Sequence, residues 1–228
     1  MVSNTTLIIL TRNEIEGVKE IVPKIDRNTV DEIISVDYNS TDGTVEFLQK
    51  HKIKVIKQRK QGRGEAFRFA AENSKHSNLL FFSPDGNEDP NDIPKLIAKL
   101  HEGYDMVIAS RFMTSSHNEE DDQPIKLRKW ANQGFTLLAN LFWHGRLTDS
   151  INGYRIITKK SFDSLKLDGE GFVIEYQMSI RALKNRLKIA EIPTYESGRI
   201  AGKSGSWAVP TGLSFLYYLI RELVIRSK

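Results

Sequence analysis

The first half of the chain alternates short apolar runs with stretches of helical periodicity. Runs such as residues 7–10 and 79–82 are too short for a helix and predict strands that are buried on both faces. Between the runs, apolar residues recur three or four positions apart, which is the spacing of one helix face. Further runs of the same kind lie at 33–36, 55–56 and 106–109. This alternation predicts βαβ units, and therefore an α/β fold with a doubly wound, mainly parallel sheet that is flanked by helices.

The pattern changes beyond Arg111, where residues 113–124 have no apolar periodicity and predict a mobile loop. The elements predicted after this loop are a helix around 130–142, a strand at 154–157, a helix near 175–187 and a strand at 189–192. No linker composition separates the two halves, so we expect a single domain over residues 1–210. Residues 211–228 are strongly apolar and are interrupted by basic residues, which predicts a C-terminal amphipathic helix.

Two interpretations of this C-terminal helix remain open. One is a helix that lies on a membrane surface, because it is rich in aromatic residues and ends in positive charge. The other is a helix that packs on the core or forms the interface of a homodimer. No stretch reaches the roughly 18 apolar residues that a membrane span needs. We therefore expect a cytoplasmic protein, either free or peripheral at the inner face of the membrane.

The amino-acid composition limits the chemistry that the protein can perform. The chain of 228 residues has no cysteine, which excludes disulfides and thiolate catalysis and leaves oxygen and histidine as metal ligands. Its net charge of +4 is mild, and no dense basic patch is visible, so we expect no nucleic-acid partner.

Polar and acidic residues follow the predicted strands where each one ends. Right-handed crossovers place these loops on one edge of the sheet, which is where ligands bind in open α/β folds. The most informative loop follows the run at 79–82 and contains Asp85 and Asn87. Such a turn suits a divalent metal that holds phosphates, because hard cations prefer oxygen ligands. The alternative is a surface turn that begins a helix with an acidic first turn.

Eight short motifs lie in a consistent order along the chain. They are Asn13-Glu14, the Asp-x-Asn-Ser-Thr-Asp-Gly-Thr of 37–44, Gly62-Arg63-Gly64, the Asp-Gly-Asn-Glu-Asp-Pro of 85–90, Ser110-Arg111, the Asp-x-x-x-Gly-Tyr-Arg of 149–155, Gly171-Phe172 with Glu175, and Arg199 with Lys203-Ser204. Each motif alone is weak, but together they resemble those of the family 2 glycosyltransferases with the GT-A fold. Within that family the chain is most similar to the dolichol-phosphate and polyprenol-phosphate mannosyltransferases.

The resemblance implies an inverting hexosyltransferase that uses a GDP- or UDP-hexose as donor. It implies polyprenyl phosphate at the membrane as the acceptor and Mg²⁺ or Mn²⁺ as the cofactor. By this resemblance Asp85 and Asn87 hold the metal, and they form the catalytic set together with Arg111 and Glu175. A metal that bridges the two phosphates would stabilise the charge that develops on the leaving diphosphate.

Two residues depart from the family pattern. Ser83 stands where the family has the first acid of its metal motif, which leaves Asp85 as the one certain carboxylate ligand. Magnesium tolerates this, since it often binds through one or two carboxylates together with phosphates and waters. Tyr38 stands where the family commonly has the second acid of an Asp-Asp pair. We expect this change to affect which nucleobase is bound more than it affects activity.

The resemblance also assigns a set of residues to the nucleotide-sugar. These residues are Thr11, Asn13, Glu14, Asp37, Asn39, Gly62, Gly64 and Asp85. Among them Asp37 matches the residue that reads the edge of the nucleobase. A structural interpretation stays open for these loops, because Asp42-Gly43 also suits a turn and Asn13-Glu14 a helix start. The Gly-x-Gly pattern lacks the third glycine of a dinucleotide fingerprint, which argues against a Rossmann dehydrogenase.

The acceptor side is assigned to cationic and polar residues. They are Arg128, Arg155, Arg199, Lys203 and Ser204. Arginine forks suit phosphate oxygens, and an ionised phosphate acceptor needs no general base. A saccharide or protein hydroxyl would need one, for which Asp149 and Glu175 are the candidates. A catalytically degenerate protein that only binds nucleotide-sugars is the remaining alternative.

Overall fold

The computed structural model describes residues 3–122, 125–201 and 208–225. The strands are β1 (Thr5–Thr11), β2 (Glu32–Asp37), β3 (Lys54–Lys57), β4 (Asn78–Phe82), β5 (Met106–Ser110), β6 (Arg155–Thr158) and β7 (Ile189–Pro193). The α-helices are α1 (Ile15–Ile21), α2 (Thr44–Lys50), α3 (Arg63–Asn73), α4 (Ile93–His101), α5 (Leu127–Trp143), α6 (Lys159–Ser164), α7 (Val173–Lys184) and α8 (Ala208–Val224). The helix expected near 175–187 ends earlier, at Lys184, where the chain turns through Arg186 at a φ of +54°.

The seven strands form one sheet in the order β3-β2-β1-β4-β6-β5-β7. Neighbouring strands are parallel except at β6, which runs antiparallel to both β4 and β5. The predicted mainly parallel α/β sheet is therefore confirmed. The apolar pattern of β6 does not reveal its direction, because a strand buried on both faces has the same pattern whichever way it runs.

Side chains of the central strands alternate between two cores, one on each face of the sheet. Leu7 and Ile9 of β1 pack with α1 and α4 on one face. Ile8 and Leu10 pack with α3, α6 and α7 on the other. This is the period of two that a strand imposes. It explains why the predicted runs are continuously apolar.

A third apolar cluster joins α5, α7 and α8. Phe215 and Leu219 of α8 are buried against Tyr176 and Ile180 of α7. Glu222 anchors the same helix, because its carboxylate accepts hydrogen bonds from Arg181 at 2.8 Å, Lys184 at 3.0 Å and Gln177 at 3.1 Å. Burial alone would raise the pKa of Glu222, but these donors hold it below its ordinary value.

The segment after β5 contains neither helix nor strand over residues 113–122, as its sequence indicates. It is nevertheless tied to the chain beyond β7. The backbone of His117 donates to Thr194 at 3.1 Å and accepts from Glu196 at 2.9 Å. The rings of His117 and Tyr195 stack at 4.3 Å. These contacts place Glu196 beside the end of β5.

The close approach of α1 to the end of β4 supplies a test of the fold. A Cβ on Gly17 would lie 2.2 Å from the carbonyl oxygen of Pro84. We therefore expect Gly17→Ala to lower the free energy of unfolding by about 1–3 kcal/mol, the usual cost of overpacking, as measured by urea denaturation. Gly134 of α5 is the control, because a Cβ there meets open space, and Gly134→Ala should be neutral or add up to about 1 kcal/mol. Equal stability of the two variants would contradict this packing.

Candidate active site

A cavity of about 1100 Å³ opens at the carboxyl ends of β1, β2 and β4. The loops that follow these strands line it, together with residues from α5, α7 and α8. This is the position expected for a ligand site in an open α/β sheet. Ten of the predicted site residues line the cavity, namely Thr11, Asn13, Glu14, Gly62, Asp85, Asn87, Arg111, Arg128, Glu175 and Arg199. Asp37, Asn39, Gly64 and Arg155 lie outside its lining, and Lys203 and Ser204 lie outside the described residues.

Arg199 bridges the two acids that face each other across this cavity. Its guanidinium donates to Oδ2 of Asp85 at 2.7 Å and also to Oε1 of Glu14. Burial raises the pKa of Glu14, although the charge of Arg199 opposes that rise. Asp85 therefore already holds a cation in this structure.

The segment around Arg199 lies along the acidic turn. The amide of Ile200 donates to the carbonyl oxygen of Asp85 at 2.9 Å. The side-chain amide of Asn87 donates to the carbonyl oxygen of Ser197 at 2.7 Å. Gly86 allows this approach, because it has a φ of +97° and a Cβ there would meet Ile200 at 2.5 Å. The turn and the segment 197–200 thus form one wall of the cavity.

A divalent metal fits this wall only with the help of a ligand. Among the described residues no group of three or more histidine or acidic side chains is arranged to hold a metal ion. Asp85 offers one carboxylate, and Asn87 can offer its amide oxygen because its nitrogen donates to Glu119 and Ser197. Such a donor set suits Mg²⁺ or Mn²⁺ that is held mainly by phosphate oxygens and water.

Glu88 is a second acid of the same turn, and it lines the cavity. Its Oε2 accepts from the backbone amide of Ser83 at 2.7 Å. Burial, together with the charge of Asp85, raises the pKa of Glu88 well above its ordinary value. Glu88 therefore favours the protonated form more than an exposed glutamate would.

Both carboxylate oxygens of Asp37 accept hydrogen bonds from neighbouring residues of the protein. Oδ1 of Asp37 accepts from the amide of Ser40 at 3.0 Å, and Oδ2 accepts from the hydroxyl of Thr11 at 3.0 Å. The side chain is almost fully buried. In this conformation Asp37 shapes the loop after β2 and does not line the cavity.

The loops after β1 and β2 are held together by polar side chains. Oδ1 of Asn13 accepts from the amide of Thr41 at 2.9 Å, and Oδ2 of Asp42 accepts from the amide of Ile15 at 3.0 Å. Asn13 and Asn39 have φ values of +54° and +51°, which asparagine tolerates better than most residues. The structural interpretation of Asp42 as a turn residue is therefore correct, while Asn13 serves the turn and also lines the cavity.

Arg155 points away from the cavity. Its guanidinium is completely buried and donates to the carbonyl oxygens of Asn152 at 2.8 Å and Glu175 at 3.1 Å, and to the hydroxyl of Ser179 at 3.0 Å. Burial lowers the pKa of Arg155 to about 10. The expected contact of Arg155 with an acceptor phosphate does not fit this placement. The residue instead joins the start of β6 to α7.

Arg111 and Asp149 form a buried bidentate ion pair. Nε of Arg111 lies 2.7 Å from Oδ2 of Asp149, and Nη2 lies 3.1 Å from Oδ1. Glu196 adds a third contact to Arg111 at 3.3 Å. Burial would raise the pKa of Asp149, but Arg111 holds it below the ordinary range. Asp149 does not line the cavity and is fully paired, which argues against it as a general base.

Arg63 is a cavity residue that the sequence reasoning did not select. It follows Gly62 at the start of α3, donates to Glu175, and lies 3.4 Å from the hydroxyl of Ser83. Gly64 makes this placement possible, because a Cβ there would lie 2.0 Å from the carbonyl oxygen of Gly169. The sequence signal that could have identified Arg63 is a cation between two glycines at the start of a helix, because such a position suits a bound anion.

The mainly parallel sheet and the cavity at its carboxyl edge define a GT-A type of nucleotide-sugar transferase fold. The family model described as Glycosyl transferase family 2 matches residues 6–166, and the chain belongs to that family. The resemblance inferred from the motifs is thereby confirmed.

Several characterised proteins are similar to the chain. Glycosyltransferase AglJ of Haloferax volcanii is 30% identical over 81% of this chain and 60% of its own length. The dolichol-phosphate mannosyltransferase of Pyrococcus furiosus is 27% identical over 87% of this chain and 58% of its own length. The chain therefore spans about three fifths of these two relatives. Polyprenol monophosphomannose synthase of Mycolicibacterium smegmatis is 24% identical, over 88% of this chain and 80% of its own length.

The fold is shared with solved glycosyltransferase structures. Glucosyl-3-phosphoglycerate synthase from Mycobacterium tuberculosis, in complex with Mn²⁺, UDP and phosphoglyceric acid, has a TM-score of 0.76. The match covers 98% of this chain and 80% of that protein, at 20% identity. A complex of the same enzyme with Mg²⁺ and UDP gives a TM-score of 0.75, also at 20% identity, and covers 98% of this chain and 80% of that protein.

The ion pair beneath the cavity can be tested by stability. Asp149→Asn leaves the buried guanidinium of Arg111 without its main partner, and losing one partner of a buried pair usually costs about 3–5 kcal/mol. We expect a loss of this size in urea denaturation. Asp163→Asn, at an exposed position on α6, is the control and should change stability by less than about 0.5 kcal/mol. If Asp149→Asn is as stable as this control, the pair is not structural.

Proposed function

We propose that the protein is an inverting, metal-dependent glycosyltransferase that moves a hexose from a GDP- or UDP-hexose to a polyprenyl phosphate. The observation that carries the proposal is the composition of the cavity walls. One wall is the acidic turn with Asp85, which suits a diphosphate and its metal. Another is formed by α5 and α8, whose outer faces are apolar. A site between these walls would bring a charged donor to a lipid-linked acceptor.

The outer faces of α5 and α8 carry large apolar side chains at helical spacing. The members of these two stripes are 45–67% exposed, and they are Leu127, Trp130, Leu137 and Leu141 on α5 and Leu213, Leu216, Tyr217 and Ile220 on α8. Both helices also bury an inner face, through Ala139 on α5 and Phe215 on α8. A helix that is apolar on both sides suits an environment more apolar than water. The buried Phe215 and Leu219 support the packing interpretation for the inner face of the C-terminal helix, and the outer face supports the membrane interpretation.

The charges around these stripes support a lipid surface as the partner. The sequence of α5 contains no acid, and the one acid of α8, Glu222, is buried and paired. Cations flank the stripes at Lys126, Arg128 and Arg146. Amphipathic helices with basic residues bind surfaces that carry anionic lipids. No helix among the described residues is both long enough and apolar enough to span a bilayer.

The two helices reach the cavity itself. Phe135 and Phe215 line it and pack edge to face at 5.3 Å, and Arg128 lines it from the first turn of α5. Arg128 is paired with Glu119 at 3.0 Å and is half exposed. A lipid phosphate that entered beside α5 and α8 would meet the guanidinium of Arg128 before it met the donor.

The proposed reaction needs no general base, because a phosphate monoester acceptor is already ionised near neutral pH. When bound, the metal would supply positive charge to the diphosphate as the leaving group forms. Asp85 and Asn87 would hold it. Arg199 lines the same region and would add cationic stabilisation of the leaving group.

The similar proteins support this acceptor class by their names, since two of them are a dolichol-phosphate mannosyltransferase and a polyprenol monophosphomannose synthase. Because the chain spans 58% of the first of these, acceptor, donor and membrane association remain proposals for this chain. A hydroxyl acceptor is the second candidate, since Glu175 is a carboxylate in the cavity that could serve as its base. Absence of any donor turnover with magnesium or manganese would favour a degenerate binding protein.

Donor and metal binding can be measured by thermal shift. We expect UDP-glucose or GDP-mannose to raise the melting temperature only when MnCl₂ or MgCl₂ is present, because Asp85 can hold the metal only together with the diphosphate. Asp85→Ala should abolish the rise. Asp163→Ala, which removes an exposed acid far from the cavity, should leave the rise intact. Unchanged stabilisation in Asp85→Ala would rule out the metal role proposed for that residue.

Membrane association can be measured by co-sedimentation with vesicles of phosphatidylcholine and phosphatidylglycerol. We expect the wild type to bind. Leu137→Glu or Leu216→Glu should reduce the partition coefficient about tenfold, since each places a charge where an apolar side chain would contact the lipid. Gln49→Glu adds the same charge on the exposed side of α2 and should retain binding. Equal binding by all three variants would show that α5 and α8 do not face the lipid.

A further inference from the structure

We propose that Glu175, held by Arg63, recognises the hydroxyl groups of the donor hexose. This inference rests on the proposed function, because it takes the ligand of the cavity to be a nucleotide-sugar. It assigns to the pair the selection of the sugar. The transfer step itself is left to the acidic turn and the acceptor phosphate.

Glu175 has one oxygen engaged and one oxygen open. Its Oε1 accepts from Nε of Arg63, while its Oε2 is buried and has no hydrogen-bond partner among the residues that the structure describes. The residue is 2% exposed and lies in the cavity wall. Buried carboxylate oxygens in proteins are nearly always hydrogen-bonded. An unpartnered one at a cavity wall is therefore the place where we expect a ligand to supply the missing donor.

The surroundings fix the orientation of the pair. A Cβ on Gly153 would lie 2.3 Å from Nη2 of Arg63 and 3.0 Å from Oε1 of Glu175, so a side chain at that position would force the pair to move. The guanidinium of Arg63 also lies over the rings of Phe67 at 5.5 Å and Phe172 at 5.6 Å. Burial would lower the pKa of Arg63, but Glu175 raises it above its ordinary value. The pair is therefore preorganised.

The location of the pair matches that of a sugar attached to a diphosphate. The guanidinium of Arg63 lies 3.4 Å from the hydroxyl of Ser83, which precedes Asp85 by two residues. A hexose on a diphosphate that is bound at Asp85 must lie within one ring width of this turn. Phe172, also in the cavity wall and partly exposed, offers an apolar surface to the C–H face of such a ring.

The chemistry of Glu175 selects a hydroxyl over a phosphate. An ionised carboxylate only accepts hydrogen bonds and repels anions, so its partner must be a donor, such as a hydroxyl group, and not a phosphate. Arg63 supplies N–H donors beside it. Two neighbouring ring hydroxyls satisfy both groups, because one can donate to Oε2 while the other accepts from the guanidinium. A role for Glu175 as a base is less suitable, because a proton on its carboxylate would weaken the ion pair with Arg63.

The test compares nucleoside diphosphates with the corresponding nucleotide-sugars. Dissociation constants of UDP, UDP-glucose, GDP and GDP-mannose would be measured by calorimetry with MnCl₂ for the wild type and Glu175→Gln. We expect the variant to bind the diphosphates as the wild type does. Its affinity for the nucleotide-sugar should fall about tenfold relative to the diphosphate, the loss typical of a hydrogen bond to a charged group.

Two further variants separate sugar recognition from a structural effect. Glu170→Gln removes an exposed acid from the neighbouring loop and should leave the ratio of the two affinities unchanged. Gly153→Ala keeps every charge but pushes a methyl group against the pair, and it should lower the ratio as Glu175→Gln does. The melting temperature of each variant without ligand checks that it is folded.

The outcomes distinguish this inference from the proposed function. An unchanged ratio in Glu175→Gln, or an equal loss for diphosphate and nucleotide-sugar, would overturn the role of Glu175 while leaving the transferase proposal in place. If Glu175→Gln binds both ligands normally but loses transfer, Glu175 acts as a base, which would overturn this inference and favour the hydroxyl acceptor over the polyprenyl phosphate. Failure of the wild type to bind any of the four nucleotides would overturn the proposed function, and this inference with it.

Discussion

Three parallel strands, β1, β2 and β4, end at the same edge of the sheet, and their register decides where the polar loops meet. Thr11 and Asp37 are paired at the end of β1 and β2, and Ile9 is paired with Phe82 at the end of β4. The loops that follow these pairs therefore begin next to each other. A shift of one residue in either pairing would exchange the side chains that enter the two cores and would displace the loops relative to each other. The packing of the sheet thus fixes the site without any contribution from a ligand.

Acids of the site are paired with arginines of the protein itself. Asp149 is neutralised by Arg111, Glu175 by Arg63, and Asp85 together with Glu14 by Arg199. The first of these pairs is buried and bidentate, so it behaves as part of the framework. The pair of Arg63 and Glu175 is also fixed in orientation by its surroundings. Arg199 lies in the cavity wall, where it could exchange its contact with Asp85 for a ligand contact.

The apolar pattern predicted the fold class well, because continuous four-residue runs have few alternatives to buried parallel strands. It also placed Asn13, Glu14, Asp85 and Asn87 at one cavity, since these follow strands that end together. The apolar pattern could not predict the direction in which individual side chains point. Asp37 and Arg155 occupy motif positions, yet their own loops and backbone carbonyls satisfy them, and that depends on contacts between distant segments. Arg63 was missed for the converse reason, because its partner Glu175 is 112 residues away in sequence.

Through its ion pairs with Asp85 and Glu14, Arg199 links the acidic turn to the segment 197–200. A metal on Asp85, as proposed, and the guanidinium of Arg199 would compete for one carboxylate. Asp85 would hold the metal in place of Arg199 only together with phosphate oxygens, because a single carboxylate is a weak site for a hard divalent ion. Arg199 would then be released from Asp85 while it remains close to the phosphates that displaced it. Since Ile200 is hydrogen-bonded to Asp85 through the backbone, the exchange needs only the side chain to move, and the wall of the cavity can stay in place.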